Sequence, residues 1–275
     1  MKPKLILTDL DGTLLDDAKQ VSPANRAALE RAAAHGAEVV VATGRFLGGV
    51  PLELRNLPFL RYFILMNGAK VYDRKEDKVL YRAEIPLATA ERIFDWMKHV
   101  EATVDCYQND MGLMDRRYYD RLDYYIHDIP SRELVRRSRM VPEDFRAAVR
   151  AGGDSVQKIQ FYFPDLTLRQ EIQRQLTVAF PEVVSSTSMP ENLELNDTRA
   201  TKGHAMLALC RALSVDAREA AAFGDGTNDL TMLQWAGAGV AMANAAQEVR
   251  AAADLVAPKN VEDGVARVLN QWFGA

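Results

Sequence analysis

Cysteine and histidine are scarce in this sequence. Cys106 and Cys210 are the only thiols, far apart, and there are four histidines. No CxxC or Cys/His spacing occurs, which argues against a disulfide framework or a structural zinc site and fits a reducing compartment. An excess of positive charge is also missing: 34 Lys and Arg stand against 38 Asp and Glu, for a formal net charge of −4. No stripe of cations could track a phosphate backbone, so nucleic acid is not an expected partner. The locally basic residues 132–139 read as solvated surface. Long apolar runs are lacking as well. Leu5-Ile6-Leu7 is too short for the apolar region of a signal peptide and nothing else could span a bilayer, so the expectation is a cytoplasmic protein with no membrane partner. Three motifs are absent too: a GxGxxG after the first apolar run, a GxxxxGK[ST] and a GxSxG. Dinucleotide, P-loop and serine-hydrolase chemistries therefore lose their main support.

What is present is an ordinary globular balance, 48% hydrophobic and 26% charged over 275 residues, a length that suggests two packed units. Short apolar runs that stop at polar turns recur. Leu5-Ile6-Leu7 runs into Thr8-Asp9-Leu10-Asp11-Gly12, Glu38-Val39-Val40-Val41-Ala42 into Thr43-Gly44-Arg45, and Tyr62-Phe63-Ile64-Leu65-Met66 into Asn67-Gly68. Residues 220–223 run into Gly224-Asp225-Gly226, and residues 239–242 and 254–256 read as two more short strands. Ser22 as N-cap and Pro23 as first helical residue open a helix to His35, with Gly36 as its stop. Strands alternating with helices imply a parallel sheet covered on both faces, with ligands beyond the carboxyl ends of the strands.

Residues 84–190 read differently. Ile93, Met97 and Val100 form one helical stripe and Leu168, Ile172, Leu176 and Phe180 another. Between them Ile159, Phe161 and Phe163 alternate with Lys158, Gln160 and Tyr162, which predicts a strand with one buried and one wetter face. A small α+β domain inserted into the parallel-sheet domain accounts for both patterns: residues 1–83 and 191–275 form the core, residues 84–190 the insert.

Asp9 and Asp11 flank one residue at the mouth of the first strand. Two carboxylates so close repel, and a hard cation such as Mg²⁺, which takes carboxylate, water and phosphate oxygens, relieves the repulsion. A calcium loop does not fit, because Leu14 and Leu15 stand where oxygen ligands belong. Asp225 can ligate metal from another strand end, whereas Asn228 and Asp229 can equally cap the helix that follows. Lys202 sits at a helix start, where an anion is favoured, and can hold phosphate or simply be solvated. Thr43, Gly44 and Arg45 offer a hydroxyl and backbone N–H groups to phosphate oxygens, or a plain turn. Tyr118, Leu122 and Tyr125 have the spacing of a packed helical face more than of a sugar-binding surface.

Together these residues resemble, in order, the four motifs of the haloacid dehalogenase-like superfamily, in its Cof-type sugar-phosphatase branch. Asp9-Leu10-Asp11-Gly12-Thr13-Leu14 is similar to the first motif, Thr43-Gly44-Arg45 to the second, Lys202-Gly203 to the third and Gly224-Asp225-Gly226-Thr227-Asn228-Asp229 to the fourth. Met242-Ala243-Asn244-Ala245 and residues 260–265 echo the branch's C-terminal pattern, with Ala243 where Gly is common. The resemblance implies a Rossmann-like three-layer α/β/α core with an α+β cap and hydrolysis of small phosphate monoesters such as sugar phosphates or phosphorylated cofactors. In these roles Asp9 is the nucleophile and Asp11 the general acid and base. Asp9, Asp225, Asp229 and Asp11, the last through its backbone carbonyl, hold or orient the metal and its water. Thr43, Gly44, Arg45, Asn67, Lys202 and Asn228 lie around the phosphate. Asp11 is then expected to be partly protonated near neutral pH, its pKa raised by the neighbouring carboxylates, and the cap to close over the site. The alternatives are a phosphomutase of the same superfamily and, from another class, a phospho-acceptor signalling module, against which Asp11 argues. The expected partner is a small phosphorylated metabolite, and the sequence does not decide between a monomer and a weak dimer.

Overall fold

The computed structural model describes residues 2–187 and 189–274. Two compact units emerge: one runs to Arg82 and resumes at Arg199, the other is Ala83–Thr198. The second junction thus lies later than the expected 190/191. Its cause is the strand Asn192–Asp197, which pairs antiparallel with Lys158–Tyr162 and Val183–Ser186 and so belongs to the second unit.

In the first unit an eight-stranded sheet runs in the order Leu255–Ala257, Ala238–Met242, Ala220–Gly224, Leu5–Thr8, Glu38–Ala42, Leu60–Leu65, Lys70–Asp73, Lys78–Arg82. The first six strands are parallel. The last two add an antiparallel edge that the sequence pattern does not announce. Thr8 pairs with Phe223 on one side and Val41 on the other. Asp9, Asp225 and Thr43 therefore leave the sheet at one edge, the carboxyl edge, where ligands bind in such folds.

Alternation of the strand residues sorts the two faces. Leu5, Leu7, Ala220 and Ala222 pack with Ala205, Met206 and Leu209 of the helix Lys202–Leu213 and with Met232 and Leu233 of Leu230–Trp235. On the opposite face Phe223 meets Trp272 of the helix Gly264–Phe273, ring centroids 5.8 Å apart, and that helix packs on Pro23–Ala34. Ser22 caps the latter, accepting from the Asn25 N–H at 3.1 Å, with Pro23 in its first turn, as the sequence predicts. Helices on both faces make the three-layer α/β/α arrangement.

The second unit holds a six-stranded sheet ordered Val183–Ser186, Asn192–Asp197, Lys158–Tyr162, Asp105–Gln108, Met111–Met114, Arg139–Met140. One face carries Cys106, Ile159, Phe161, Leu193 and Leu195 into a core shared with Ile93, Phe94 and Met97 of the helix Leu87–Met97 and Ile172 and Leu176 of Leu166–Ala179. Tyr118, Leu122 and Tyr125 join this core, as packing residues. The other face corrects the expectation of a wetter side: Lys158, Gln160 and Tyr162 are all buried. Arg139, expected among solvated residues, is buried too, donating to Asp105 through Nε, to the Tyr107 hydroxyl at 2.6 Å and to Gln160 at 3.2 Å. Charge pairing rather than solvent satisfies this face, which a single strand's alternation cannot reveal.

Candidate active site

Asp9 follows the central strand directly, its N–H donating to the Phe223 carbonyl of the neighbouring strand at 2.9 Å. Buried Lys202, in the first turn of its helix, donates through Nζ to Asp9 Oδ1 at 2.7 Å and to Asp229 Oδ1 at 2.5 Å. Thr201 caps that helix, accepting from the His204 N–H at 3.1 Å, which fixes where the lysine stem begins. The other Asp229 oxygen accepts the N–H groups of Asp225 and Gly226, both at 2.9 Å. Asp229 thus braces the turn before it and joins the charge cluster, but makes no side-chain cap bond to the helix Leu230–Trp235 that follows, the capping role the sequence also allows. Thr13 donates its hydroxyl to Asp225 Oδ1 at 2.8 Å.

Asp9, Asp225 and Asp229 each offer an oxygen within 4.8 Å of one another. Burial pushes Asp9 up to about 8 against the pull of Lys202, and the charges of Asp229 and Asp225 add to the rise. Burial also lifts Asp225 to about 6, opposed by the Thr13 hydrogen bond and reinforced by Asp229. Burial alone would depress the Lys202 ammonium, yet Asp229 and Asp9 hold it above its ordinary value. The lysine remains charged, and its single positive charge faces the carboxyl groups of Asp9 and Asp229 directly. This all-oxygen, charge-deficient donor set fits a hard divalent cation.

The second and third strand ends meet in the same neighbourhood. The Asn67 N–H donates to the Thr43 carbonyl at 3.1 Å, and Asn67 Oδ1 accepts from Asn228 Nδ2 at 3.0 Å. Thr43 is buried and takes the Arg45 N–H on its hydroxyl at 3.2 Å. Asn67 sits at φ 59°, a left-handed conformation that asparagine tolerates better than most residues. Next to it Gly68, at φ +105°, passes so close to the lysine's helix that a Cβ would lie 2.2 Å from the Thr201 carbonyl oxygen. Gly12 is equally confined: at φ +79° its Cβ would stand 2.2 Å from Asp225 Oδ2. Only glycine lets these strand ends converge.

Asp11 and Arg45 are brought to each other instead of to the acidic cluster. Arg45 donates Nε to Asp11 Oδ2 at 2.7 Å and Nη2 to Oδ1 at 2.6 Å, while Nη1 holds the Gly49 carbonyl at 2.8 Å. Lys19 adds a second cation 2.8 Å from Asp11. Burial alone would raise the Asp11 carboxyl, but hydrogen bonds and charge from Arg45 and Lys19 hold it below its ordinary value. The expectation of a partly protonated Asp11 is therefore overturned: the cations that face it outweigh its burial. Thr13 and Lys19 were not foreseen. Thr13 had a signal, lying inside the first motif, whereas Lys19 reaches Asp11 across a loop that leaves no periodic trace.

A model of haloacid dehalogenase-like hydrolases matches residues 6–269. The chain is 31% identical to the putative phosphatase YxeH of Bacillus subtilis over 98% of its own length and 97% of the relative's. It is 28% identical to the 5-amino-6-(5-phospho-D-ribitylamino)uracil phosphatase YcsE of the same organism, covering 98% of the chain and 95% of that protein. Among solved structures, a haloacid dehalogenase-like hydrolase from Bacteroides thetaiotaomicron superposes with a TM-score of 0.82 at 27% identity, over 98% of this chain and 99% of the other.

Proposed function

The chain belongs to the haloacid dehalogenase-like hydrolases and is a phosphatase of that family, and from this premise we propose that it hydrolyses small phosphate monoesters through a phosphoryl group carried on Asp9. The observation that carries the reading is the buried Asp9 carboxylate, bonded to Lys202 and flanked by Asp225 and Asp229, at the carboxyl edge of a parallel sheet.

In the first step an Asp9 oxygen attacks phosphorus as the bond to the leaving oxygen breaks, and Asp11 supplies the proton that oxygen needs. In the second, water attacks phosphorus, gives its proton to Asp11, and the Asp9 carboxylate leaves with inorganic phosphate released. Lys202 offsets the repulsion between nucleophile and anionic substrate. Asp9 and Asp225, the Asp11 carbonyl and Asp229 would hold Mg²⁺ and its water. When bound, the ion supplies charge neutralisation at the transferring group. Thr43, with the Gly44 and Arg45 N–H groups, Asn67 and Asn228 would orient the phosphate oxygens. Because Asp11 is held ionised by Arg45 and Lys19, its acid role requires that this pairing loosen when substrate enters.

The substrate class we favour is a phosphorylated sugar, polyol or cofactor, in keeping with the relative named for a phosphoribityl compound. A panel of such esters assayed for phosphate release with Mg²⁺ tests this. Asp9→Asn is expected to lower turnover by about 10⁴-fold or more. Turnover retained in Asp9→Asn would overturn the assignment, and isomerised product without phosphate would mark a mutase.

A further inference from the structure

The turn that follows the nucleophile is held by three side-chain amides, two of them, Asn244 and Asn260, from the far end of the chain. Asn244 donates Nδ2 to the Gly12 carbonyl at 2.8 Å. Asn260 donates Nδ2 to the Leu15 carbonyl at 2.9 Å, and its own N–H donates to Asn244 Oδ1 at 3.1 Å, so the two asparagines act as one bracket. Asn25 reaches the Leu14 carbonyl at 3.4 Å and accepts the Ala266 N–H at 2.9 Å. The bonds joining Asn244 to Gly12, Asn260 to Leu15 and Ala266 to Asn25 each span more than two hundred residues of sequence, yet all lie in the first unit. Backbone bonding within the turn is local: Thr13 and Leu15 both donate to the Leu10 carbonyl, and Leu15 bridges to Asp11 and Val21.

Gly12 is the pivot. On one side it abuts the Asp225 carboxylate, with no room for a Cβ, and its carbonyl is fixed by the Asn244 amide. Asp11 precedes it and Thr13, which holds Asp225, follows it. A rotation of the Gly12 peptide would move Asp11 relative to Asp9 and shift the Thr13 hydroxyl from Asp225. Asn25 and Asn260 are buried and serve the packing of the terminal helix as well, but Asn244 is exposed, and its removal should leave the fold intact.

We propose that Asn244 is a positioning residue for the phosphatase reaction, setting the Gly12 peptide and through it the placement of Asp11 and Asp225. The inference rests on the reading that the Asp9 turn is catalytic. Misplacement of reacting groups by about 1 Å lowers rates by up to about 100-fold, so a single lost amide donor should cost about tenfold.

The test compares wild type, Asn244→Ala and Asn244→Asp in the full chain, measuring kcat, KM and thermal midpoint. Asn244→Asp keeps an oxygen for the Asn260 N–H but loses the donor to Gly12 and faces that carbonyl with negative charge. The expected result is a kcat lowered about tenfold in Asn244→Ala and at least as much in Asn244→Asp, with KM within about twofold and the midpoint within about 2 °C of wild type. A wild-type kcat in Asn244→Asp would overturn the proposal. So would a kcat loss matched by a large fall in thermal midpoint, because the residue would then be merely structural. Asp9→Asn in the same assay separates the two readings: if it retains turnover, the catalytic turn is misassigned. If it is inactive while Asn244→Asp is unaffected, only the positioning role fails.

Discussion

Two buried clusters of charge, one in each unit, show what distinguishes a site from a scaffold. On the sheet of the second unit Asp105 meets Arg139 and Lys158 meets Glu194 at 3.1 Å, two anions with two cations. At the strand ends of the first unit Asp9, Asp225 and Asp229 converge with one ammonium, that of Lys202, bonded to two of them. Asp9, Asp229 and Lys202 are as buried as the balanced cluster, with Asp225 half-buried; charge balance is what differs. The balanced cluster is nearly complete by itself, with one Asp105 oxygen lacking a hydrogen-bond partner. The acid-rich cluster becomes electrically complete only with a cation, and such imbalance is what a functional site retains against stability.

The contrast can be broken at its balanced half first, where the effect should be largest. Arg139→Met leaves Asp105 buried without its guanidinium, so that it must either stay charged unpaired or take up a proton, and should destabilise the protein by about 3–5 kcal/mol in chemical denaturation. Adding Asp105→Leu should recover most of that loss, since an apolar pair replaces a paired charge. A double variant no better than the single would show that the pair is not the unit.

The acid-rich half should respond to metal. Saturating Mg²⁺, at about 100 times its dissociation constant, should stabilise the wild type by about 2.7 kcal/mol, read as a rise in thermal midpoint. Asp225→Asn should abolish most of that rise while melting, without metal, at or above the wild-type temperature, because one repelling carboxylate is gone. An unchanged Mg²⁺ response in this variant would remove Asp225 from the ligand set.

The smallest effect concerns Asp11. Its pKa lies below the ordinary value because Arg45 and Lys19 overcome burial, so removing the guanidinium in Arg45→Met must raise it. A base role needs the ionised form and fails below the pKa; an acid role needs the protonated form and fails above it. Both limbs of the pH–rate profile that Asp11 governs should therefore move to higher pH. A profile that stays in place would show that Arg45 does not tune Asp11.

The acid-rich site was readable in the sequence for a physical reason. Parallel strands buried on both faces are unbroken apolar runs, so the polar residues that end them, Asp9, Thr43, Asn67 and Asp225, stand out. The balanced cluster was not readable. Lys158 and Gln160 look solvent-facing in their own strand, and only pairing with strands and loops remote in sequence buries them. The same blindness displaced the second junction: Asn192–Asp197 alternates polar and apolar residues, and its polar side turned out to face inward. Arg45 illustrates the limit at the site itself, since its position was legible and its partner was not.

Gly68 carries one more implication. Its missing side chain is all that separates the third strand end from the first turn of the lysine helix, and its φ of +105° leaves an alanine no comfortable backbone well. In a saturation library scored for activity, this position should be a blank column even for the smallest replacement. Drift elsewhere in the family could then reshape what is recognised, while the spacing between the amide of Asn67 and the ammonium of Lys202 stayed fixed like the gauge of a rail.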